Sequence, residues 1–277
     1  MQFKKLFVDL HIHTNFSDST FSPQKVVDYA CGCGLSAIAI TDHDCVSGIP
    51  IAIEAAQGKH LEIVAGIELS CEFNGVEVHI LGLFIDFNNI CFLEELDRLK
   101  RDRDIRIKKI VRKLNAAGIK IEEQDVFGLT NPLGVAGRLH IAMAMLKKKT
   151  VTSFYEAFSR YIGNGKFCYV KKTEFSPFQA IEMIKSVGGR AFLAHPGLMR
   201  HDEFIPFFVE QGMDGIEVFH SQHSHTLAKH YINIAKQHNL LISGGSDCHG
   251  MGKNKPLMGK VKVPYKIFSD LRDALKK

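Results

Sequence analysis

Histidine and acidic side chains recur along this chain at spacings that suit metal binding. The first group is DLHIH at residues 9–13, where His11 and His13 lie two positions apart. On a strand, alternate side chains share a face, so both imidazoles can reach one ion. Asp18 follows in the loop after this group, where a carboxylate is equally common as a turn residue. The first group alone is weak evidence for a metal site, and the rest of the chain has to support it.

Further groups of this kind follow other short apolar runs. TDHD at residues 41–44 ends the run AIAI, and Glu68 lies at the end of EIVAGIELS. His79 lies inside VEVHILGLF, where a single buried histidine with a core partner is an alternative interpretation. His195 closes AFLAHP, and SDCH at residues 246–249 closes LLISGG. Six strand ends with such groups would form a ring of mutually repelling or unpaired side chains without a cation, so the pattern predicts a metal centre.

Seven apolar runs bounded by polar residues or glycine predict the strands that position these groups. Ser22-Pro23 and Ser176-Pro177 begin two predicted helices, and Gly34 and Gly188 end them. Alternating strands and helices predict an α/β fold with a mainly parallel sheet, which closes naturally into a barrel at this length. The predicted strands are Phe7–His11, Ala37–Ile40, Leu61–Ile67, Val76–Phe84, Ala191–Ala194, Gly215–Phe219 and Leu240–Ser243.

The alternation breaks between about Phe87 and Gly165, where apolar residues recur at helical spacing. We predict a small helical insertion at 87–165 over the barrel mouth, between a first barrel part at 1–86 and a second at 166–277. Residues 98–113 contain nine basic and two acidic side chains. A solvated helix face is the ordinary explanation of such a run, and attraction of an anionic substrate is the alternative.

The composition is that of a folded globular protein, with 277 residues, 45% hydrophobic and 23% charged residues. The start of the chain lacks the apolar segment of a signal peptide, and no apolar run approaches the roughly 18 residues that span a bilayer. The seven cysteines are odd in number and form no C-x-x-C pair, which favours reduced thiols. We therefore expect a cytoplasmic protein without membrane contact and without an obligate protein partner.

The chain resembles the PHP family, the polymerase and histidinol phosphatase phosphoesterases, along its whole length. The motifs are DLHIHT at 9–14, SD at 17–18, TDHD at 41–44, GIE at 66–68, VHILG at 78–82, LAHP at 193–196 and GSDCHG at 245–250. This resemblance implies a distorted seven-stranded (β/α)7 TIM-like barrel, the PHP fold. It also implies three divalent metal ions, with manganese expected first and zinc, iron or magnesium as alternatives.

The resemblance further implies which residues hold each ion. Glu68 is expected to bridge two ions and, with Asp247, to act in catalysis through a hydroxide held between the metals. The first ion is expected on His11, His13, Glu68 and Asp247, the second on Glu68, His79 and His195, and the third on Asp18, His43 and His249.

The predicted insertion narrows the resemblance to the subgroup acting on nucleoside 3′,5′-bisphosphates or trimming short RNA from its 5′ end. The matching segments are GRLHIAMAML at 137–146 and EAFSRYIGNGKFCYVKK at 156–172, in which Leu139 and Phe167-Cys168 depart from the usual residues. A nucleotide or short oligonucleotide is therefore the expected substrate. Arg138 and His140 are expected to act on it with Lys166, and Arg suits a bidentate phosphate contact. Further expected substrate contacts are Arg103, Arg106 and His223.

Four other functions stay open at this point. A histidinol-phosphate or other small-molecule phosphatase would share the barrel, but a basic insertion suits a polyanion better than a cationic amino alcohol. A processive exonuclease on RNA would differ mainly in the length of strand admitted. A polymerase module is disfavoured because no polymerase sequence accompanies the domain. A non-catalytic nucleotide-binding regulator would be expected to have lost ligand residues, and here all nine positions are filled.

Overall fold

A computed structural model describes residues 6–253 and 255–275 of the chain. One sheet runs through it in the strand order β7-β6-β5-β4-β3-β2-β1-β8. All seven predicted strands are present, with ends shifted by a few residues, and β8 is an eighth, two-residue strand that the apolar pattern did not indicate. The strands are β1 Phe7–Ile12, β2 Leu35–Ile40, β3 Glu62–Phe73, β4 Val76–Leu83, β5 Arg190–Leu193, β6 Gly215–His220, β7 Leu241–Gly245 and β8 Val263–Pro264.

The sheet curls into a nearly closed barrel. Just beyond β7, the Asp247 amide donates to the His11 carbonyl at 2.9 Å, and the His13 amide donates to the Cys248 carbonyl at 3.1 Å. These bonds join the last long strand to the first. The predicted α/β TIM-like barrel is therefore confirmed.

The sheet is less parallel than predicted. Strands β1–β2, β2–β3, β5–β6 and β6–β7 pair in parallel, whereas β3–β4, β4–β5 and β1–β8 are antiparallel. The reversal at β3–β4 is a hairpin whose turn residues Asn74 and Gly75 have φ of 50° and 79°. An Asn-Gly pair tolerates two successive positive φ values, which makes it a strong signal for a tight hairpin.

Helices surround the barrel and fill the segment between β4 and β5. Ser22 and Ser176 cap α1 and α7 by accepting hydrogen bonds from the Lys25 and Gln179 amides, as their positions before proline predicted. Among the described residues, no helix has the length and apolar character needed to cross a bilayer. The helices are α1 Pro23–Gly32, α2 Ile49–Ala55, α3 Ile90–Ala116, α4 Glu123–Phe127, α5 Arg138–Lys147, α6 Phe154–Glu156 continuing as a π-helix over Ala157–Ile162, α7 Pro177–Ser186, α8 Pro196–Met199, α9 Ile205–Glu210, α10 His225–Gln237 and α11 Tyr265–Ala274, with 3₁₀ turns at Asp202–Phe204 and Gly250–Lys253.

The long helix α3 contributes to two hydrophobic cores. Its first half buries Phe92, Leu96 and Leu99 in the core formed with the outer faces of the barrel strands. Its second half, from Ile107 onward, packs into a separate core with α4, α5 and the π-helix, which extends to Cys168. The helical segment is thus anchored to the barrel by a continuous helix, so α3 fixes the second core relative to the strand ends.

Candidate metal centre

The nine predicted ligand residues converge around Glu68, which is 1% exposed. Its Oε2 lies 3.2 Å from His11 Nε2, 3.1 Å from His13 Nε2 and 3.2 Å from His43 Nδ1. Its Oε1 lies 2.8 Å from His79 Nδ1 and 2.9 Å from His195 Nε2. Two ligand atoms that each lie about 2.1 Å from one ion are roughly 3 Å apart, so these separations fit shared metal ions.

Two further carboxylates complete the ring. Asp247 Oδ1 lies 3.3 Å from His13 Nε2 and 3.4 Å from His249 Nδ1, and Asp18 Oδ1 lies 3.1 Å from His249 Nε2. The division into groups differs in part from the implied one, because His13 and His43 each belong to two groups, whereas His195 belongs to none of the three. The three groups whose ligand atoms all lie within 4.8 Å are His11, His13, Glu68 and Asp247; His13, Asp18, His43 and His249; and His43, Glu68 and His79.

The charges of the centre are those of a cation site. Burial would raise the pKa of Glu68, but the surrounding histidines hold it well below its usual range. Burial lowers the pKa of His13, yet hydrogen bonds to Asp247 and Glu68 outweigh that effect and raise it to about 10. Burial, together with repulsion from His13 and His79, outweighs the attraction of the nearby carboxylates and lowers the pKa of His43 to about 3. Ionised carboxylates next to imidazoles of mixed protonation are the donor set that divalent cations can take over by displacing protons.

Glu217 is a buried partner of this centre that we did not predict. It is fully buried on β6, and its carboxylate accepts hydrogen bonds from His11 Nδ1 at 3.0 Å and from the His195 amide at 2.8 Å. A carboxylate on the far nitrogen of an imidazole fixes the ring and its tautomer, leaving Nε2 of His11 free to bind a metal. The signal was available, because Glu217 interrupts the apolar strand GIEVFH.

Two acidic residues of the TDHD segment anchor loops instead of joining the ring. Asp42 accepts hydrogen bonds from the amide and hydroxyl of Thr14 and from the Ser17 hydroxyl, which shapes the loop that presents Asp18. Asp44 accepts from the Ser70 amide at 2.8 Å and from Arg103 Nε at 2.6 Å. The segment therefore supplies one predicted ligand, His43, between two structural carboxylates.

Three site residues have a left-handed backbone. Asp44, His195 and Asp247 have φ of 47°, 27° and 52°. This region is uncommon for residues other than glycine and is maintained only where surrounding contacts require it. The Glu217 contact to the His195 amide and the Asp247 amide bond to the His11 carbonyl are such contacts. They turn both side chains toward the centre at the ends of their strands.

A cavity, called the substrate cavity below, opens from the ring toward α3 and α5. Asp18, His43 and His79 lie on its metal side, with Glu77 beside them. Its other wall carries four cations and two apolar side chains, namely Arg103, Arg106, Arg138, Lys172, Leu139 and Phe158. The helical segment therefore covers the metal side with positive charge.

The four cations are not equally available to a ligand. Arg103 binds the carboxylate of Asp44, so its charge is largely matched. Arg106 donates only to the Val170 carbonyl, and burial next to Arg138 lowers its pKa to about 10. Lys172 donates to the Ser70 carbonyl, and burial lowers its pKa to about 8. Among the described residues, neither Arg106 nor Lys172 forms an ion pair within 4 Å, although Glu77 partly offsets both charges and Asp44 that of Lys172.

Three predicted substrate residues lie elsewhere. His140 is 4% exposed, and its Nδ1 accepts from the Gly137 amide at 3.0 Å at the start of α5, outside the cavity lining. Lys166 is exposed on a turn, and Lys172 occupies the cavity wall in its place. His223 lines a different cavity. Its Nδ1 donates to the Val218 carbonyl at 2.8 Å, and its Nε2 accepts from the Gly197 amide at 3.3 Å. No periodicity in the irregular segment after the π-helix pointed to Lys172.

Comparison with known proteins agrees with this geometry. The PHP domain matches residues 9–167. The chain is 32% identical to the 5′-3′ exoribonuclease Rnm of Salmonella typhimurium over 87% of its own length and 84% of that protein. It is also 32% identical to the 3′,5′-nucleoside bisphosphate phosphatase of Chromobacterium violaceum, covering 89% of this chain and 88% of that one. A solved structure of a candidate metal-dependent phosphoesterase from Bifidobacterium adolescentis superposes with a TM-score of 0.88 at 29% identity, over 96% and 95% of the two chains.

The domain match extends over more than half of the chain, and both relatives align along most of their length. Together with the ring of histidines and carboxylates at one end of a barrel, these similarities establish that the chain belongs to the PHP family and is a metal-dependent phosphoesterase.

Proposed function

We propose that this phosphoesterase removes a phosphate monoester from a nucleotide, in particular the 3′-phosphate of a nucleoside 3′,5′-bisphosphate. One observation carries the proposal: the substrate cavity combines the ring around Glu68 with a separate wall of cations. A substrate with a single small phosphate would need only the ring. A second phosphate on the same molecule gives the cations of the opposite wall a partner.

The nine ring residues would hold divalent ions, and the three overlapping groups of His and carboxylate side chains support a set of three. Nitrogen and oxygen donors without thiolates suit manganese first, with zinc, iron or magnesium as alternatives. Ions bound there would supply a hydroxide at neutral pH and neutralise the non-bridging phosphate oxygens. Glu68 lies between the groups and would contribute to more than one ion, and Asp247 would join Glu68 in the group with His11 and His13.

The cavity wall would then orient the phosphate that is not cleaved. Arg106 and Lys172 donate to backbone carbonyls and form no ion pair within 4 Å among the described residues, and Arg138 faces the same space from the start of α5. Guanidinium groups bind phosphate through paired N–H donors, whereas an ammonium adds a compact charge. These side chains fix the substrate so that the phosphate to be cleaved lies over the ring.

Trimming of short RNA from the 5′ end is the second candidate activity, and the name of the Salmonella relative favours it. The same centre would serve, since the scissile group is again a phosphoester. Histidinol phosphate is less well matched to the cavity, because its cationic amine would lie against the cations of the wall. All seven cysteines are free thiols, which supports a reducing compartment, and we place the enzyme in the cytoplasm.

A side-by-side assay tests the proposal. The protein, reconstituted with manganese, is offered adenosine 3′,5′-bisphosphate, a 5′-phosphorylated RNA trimer and histidinol phosphate, and the released phosphate and nucleotides are identified. We expect adenosine 5′-phosphate and inorganic phosphate from the first substrate. Turnover of histidinol phosphate alone would refute the nucleotide assignment, whereas turnover of the trimer alone would favour the exonuclease.

A further inference from the structure

The substrate cavity contains a carboxylate where an anionic ligand has to bind. Glu77 lies on β4, two positions before His79, with 41% of its side chain exposed. Its Oε2 accepts a hydrogen bond from Arg138 NH2 at 2.8 Å, and its Oε1 lies 3.7 Å from His79 Nε2. The other guanidinium terminus of Arg138 donates to Asn164 Oδ1 at 2.7 Å. Both ends of this guanidinium are therefore engaged by side chains of the protein.

Such contacts oppose binding of a second phosphate. A phosphate that takes both N–H donors of Arg138 has to displace the Glu77 carboxylate, and Glu77 also repels a phosphate in the same cavity. The displacement costs little, because Glu77 is 41% exposed, although Arg138 is only 16% exposed, and ion pairs in contact with water are weak. The carboxylate of Glu77 resembles a phosphate oxygen in charge and in its geometry toward arginine.

We infer that Glu77 is a specificity-determining residue that occupies Arg138 in the free enzyme and is displaced by the non-cleaved phosphate of the substrate. The inference rests on the proposed function, since it requires a substrate with two phosphates. Glu77 compensates the charge of Arg138 until such a substrate arrives. Substrates with one phosphate bind without displacing it, so removal of Glu77 shifts selectivity toward substrates with two phosphates.

The opposing hairpin residue offers a matched control. Glu72 pairs with Glu77 across the β3–β4 ladder and lines a small cavity that also includes Arg138, but its ion pair is with Lys171 Nζ at 3.2 Å. Glu72→Gln therefore removes the same charge from the same hairpin without freeing the guanidinium. Asn164→Ala releases the other end of Arg138 and is expected to act in the same direction as Glu77→Gln.

The test compares KM values of the manganese-reconstituted protein for adenosine 3′,5′-bisphosphate and for p-nitrophenyl phosphate. We expect Glu77→Gln to lower the ratio of KM for the bisphosphate to KM for p-nitrophenyl phosphate about twofold to fivefold, the range that loss of an exposed ion pair allows. Because Glu77 also lies 3.7 Å from His79 Nε2, any change in kcat should be the same for both substrates. Glu72→Gln should change neither KM. In an Arg138→Ala background the effect of Glu77→Gln should vanish, because the inferred competition acts only through that guanidinium.

Each other outcome is decisive. A higher KM for the bisphosphate in Glu77→Gln would show that Glu77 positions Arg138 for the substrate, and the inference would be wrong. An equal decrease for both substrates, or a decrease that persists without Arg138, would indicate general charge repulsion and would also overturn it. If the wild-type protein hydrolyses p-nitrophenyl phosphate but not the bisphosphate, the proposed function fails and this inference fails with it.

Discussion

Replacement of Glu217 by glutamine is the most direct test of how the ring is held. The carboxylate accepts two hydrogen bonds, one from the His11 imidazole at 3.0 Å and one from the His195 amide at 2.8 Å, at a site that is fully buried. Glutamine has nearly the same shape but only one acceptor oxygen. Its amide NH2 would point a donor at one of the two existing donors.

The size of the effect follows from these contacts. At least one hydrogen bond to a charged acceptor is lost, which costs about 1.5–3 kcal/mol in a buried setting. Loss of a carboxylate behind a metal-binding imidazole typically lowers metal affinity or activity about 10- to 100-fold. Because both His11 and His195 donate hydrogen bonds to Glu217, we expect a loss of metal affinity near the upper end of this 10- to 100-fold range.

Two measurements separate metal binding from general damage. Calorimetric titration of the metal-free protein with Mn²⁺ gives the affinity, and urea unfolding without metal gives the free energy of unfolding. We expect Glu217→Gln to lower the affinity for manganese by one to two orders of magnitude. Glu210→Gln, an exposed substitution on α9, provides the control and should change neither quantity.

An unchanged manganese affinity in Glu217→Gln would refute the reasoning, because His11 would then not depend on its outer partner. A loss of stability without loss of affinity would assign Glu217 to the fold alone. Recovery of affinity in Glu217→Asp would support the role of charge over shape.

Three further predictions test the ring and the cation wall. Asp247→Asn should lower kcat by on the order of a hundredfold or more, because loss of a carboxylate that only supports a metal ligand already lowers activity about 10- to 100-fold. If the inactive variant kept its full biological effect, that result would favour a non-catalytic regulator. Arg138→Ala should raise KM for adenosine 3′,5′-bisphosphate far more than for p-nitrophenyl phosphate, and equal increases would count against a contact with the second phosphate. Lys172 loses its proton as pH rises through about 8, so kcat/KM for the bisphosphate should fall above that pH. In Lys172→Arg, kcat/KM should stay constant to higher pH, because arginine keeps its proton. A decline at the same pH in both proteins would assign the decline to another group.

The barrel was predictable because its strands are buried on both faces. Runs such as AIAI before residue 41 and AFLA before His195 are continuous apolar segments, and helix-start signals at Ser22 and Ser176 separate them from their neighbours. The antiparallel pairs were not predicted, because alternation of strands and helices says nothing about a hairpin. Asn74-Gly75 carried that information locally, through the positive φ values that such a pair accepts.

The ring was predictable for a related reason: His43, His195 and Asp247 follow strand ends, and strand ends of a barrel meet. Glu68 and His79 instead lie within β3 and β4. No comparable pattern in the sequence predicted which cations line the cavity wall. Arg106 and Arg138 reach the cavity because α3 and α5 pack against each other in a second core, a contact between distant segments. Lys166 and Lys172 lie six positions apart in an irregular stretch, where spacing does not define a face, and only the folded chain distinguishes the exposed lysine from the one in the wall.

Arg103 shows how the two halves of the cavity are joined. Its guanidinium binds Asp44 and donates to Ser70 Oγ at 2.8 Å, and the same hydroxyl lies 3.3 Å from His43 Nδ1. Asp44 directly follows His43, so helix α3 is fixed to the loop that presents a predicted metal ligand. Arg103 therefore stabilises the fold more than it binds substrate, because a substrate that displaced Asp44 would leave a buried charge unpaired. This ion pair fixes α3 relative to the ring, and the packing of α5 against α3 in the second core then places Arg138 beside it. Substitutions elsewhere in the helical segment can therefore alter the choice of substrate while the ring stays intact.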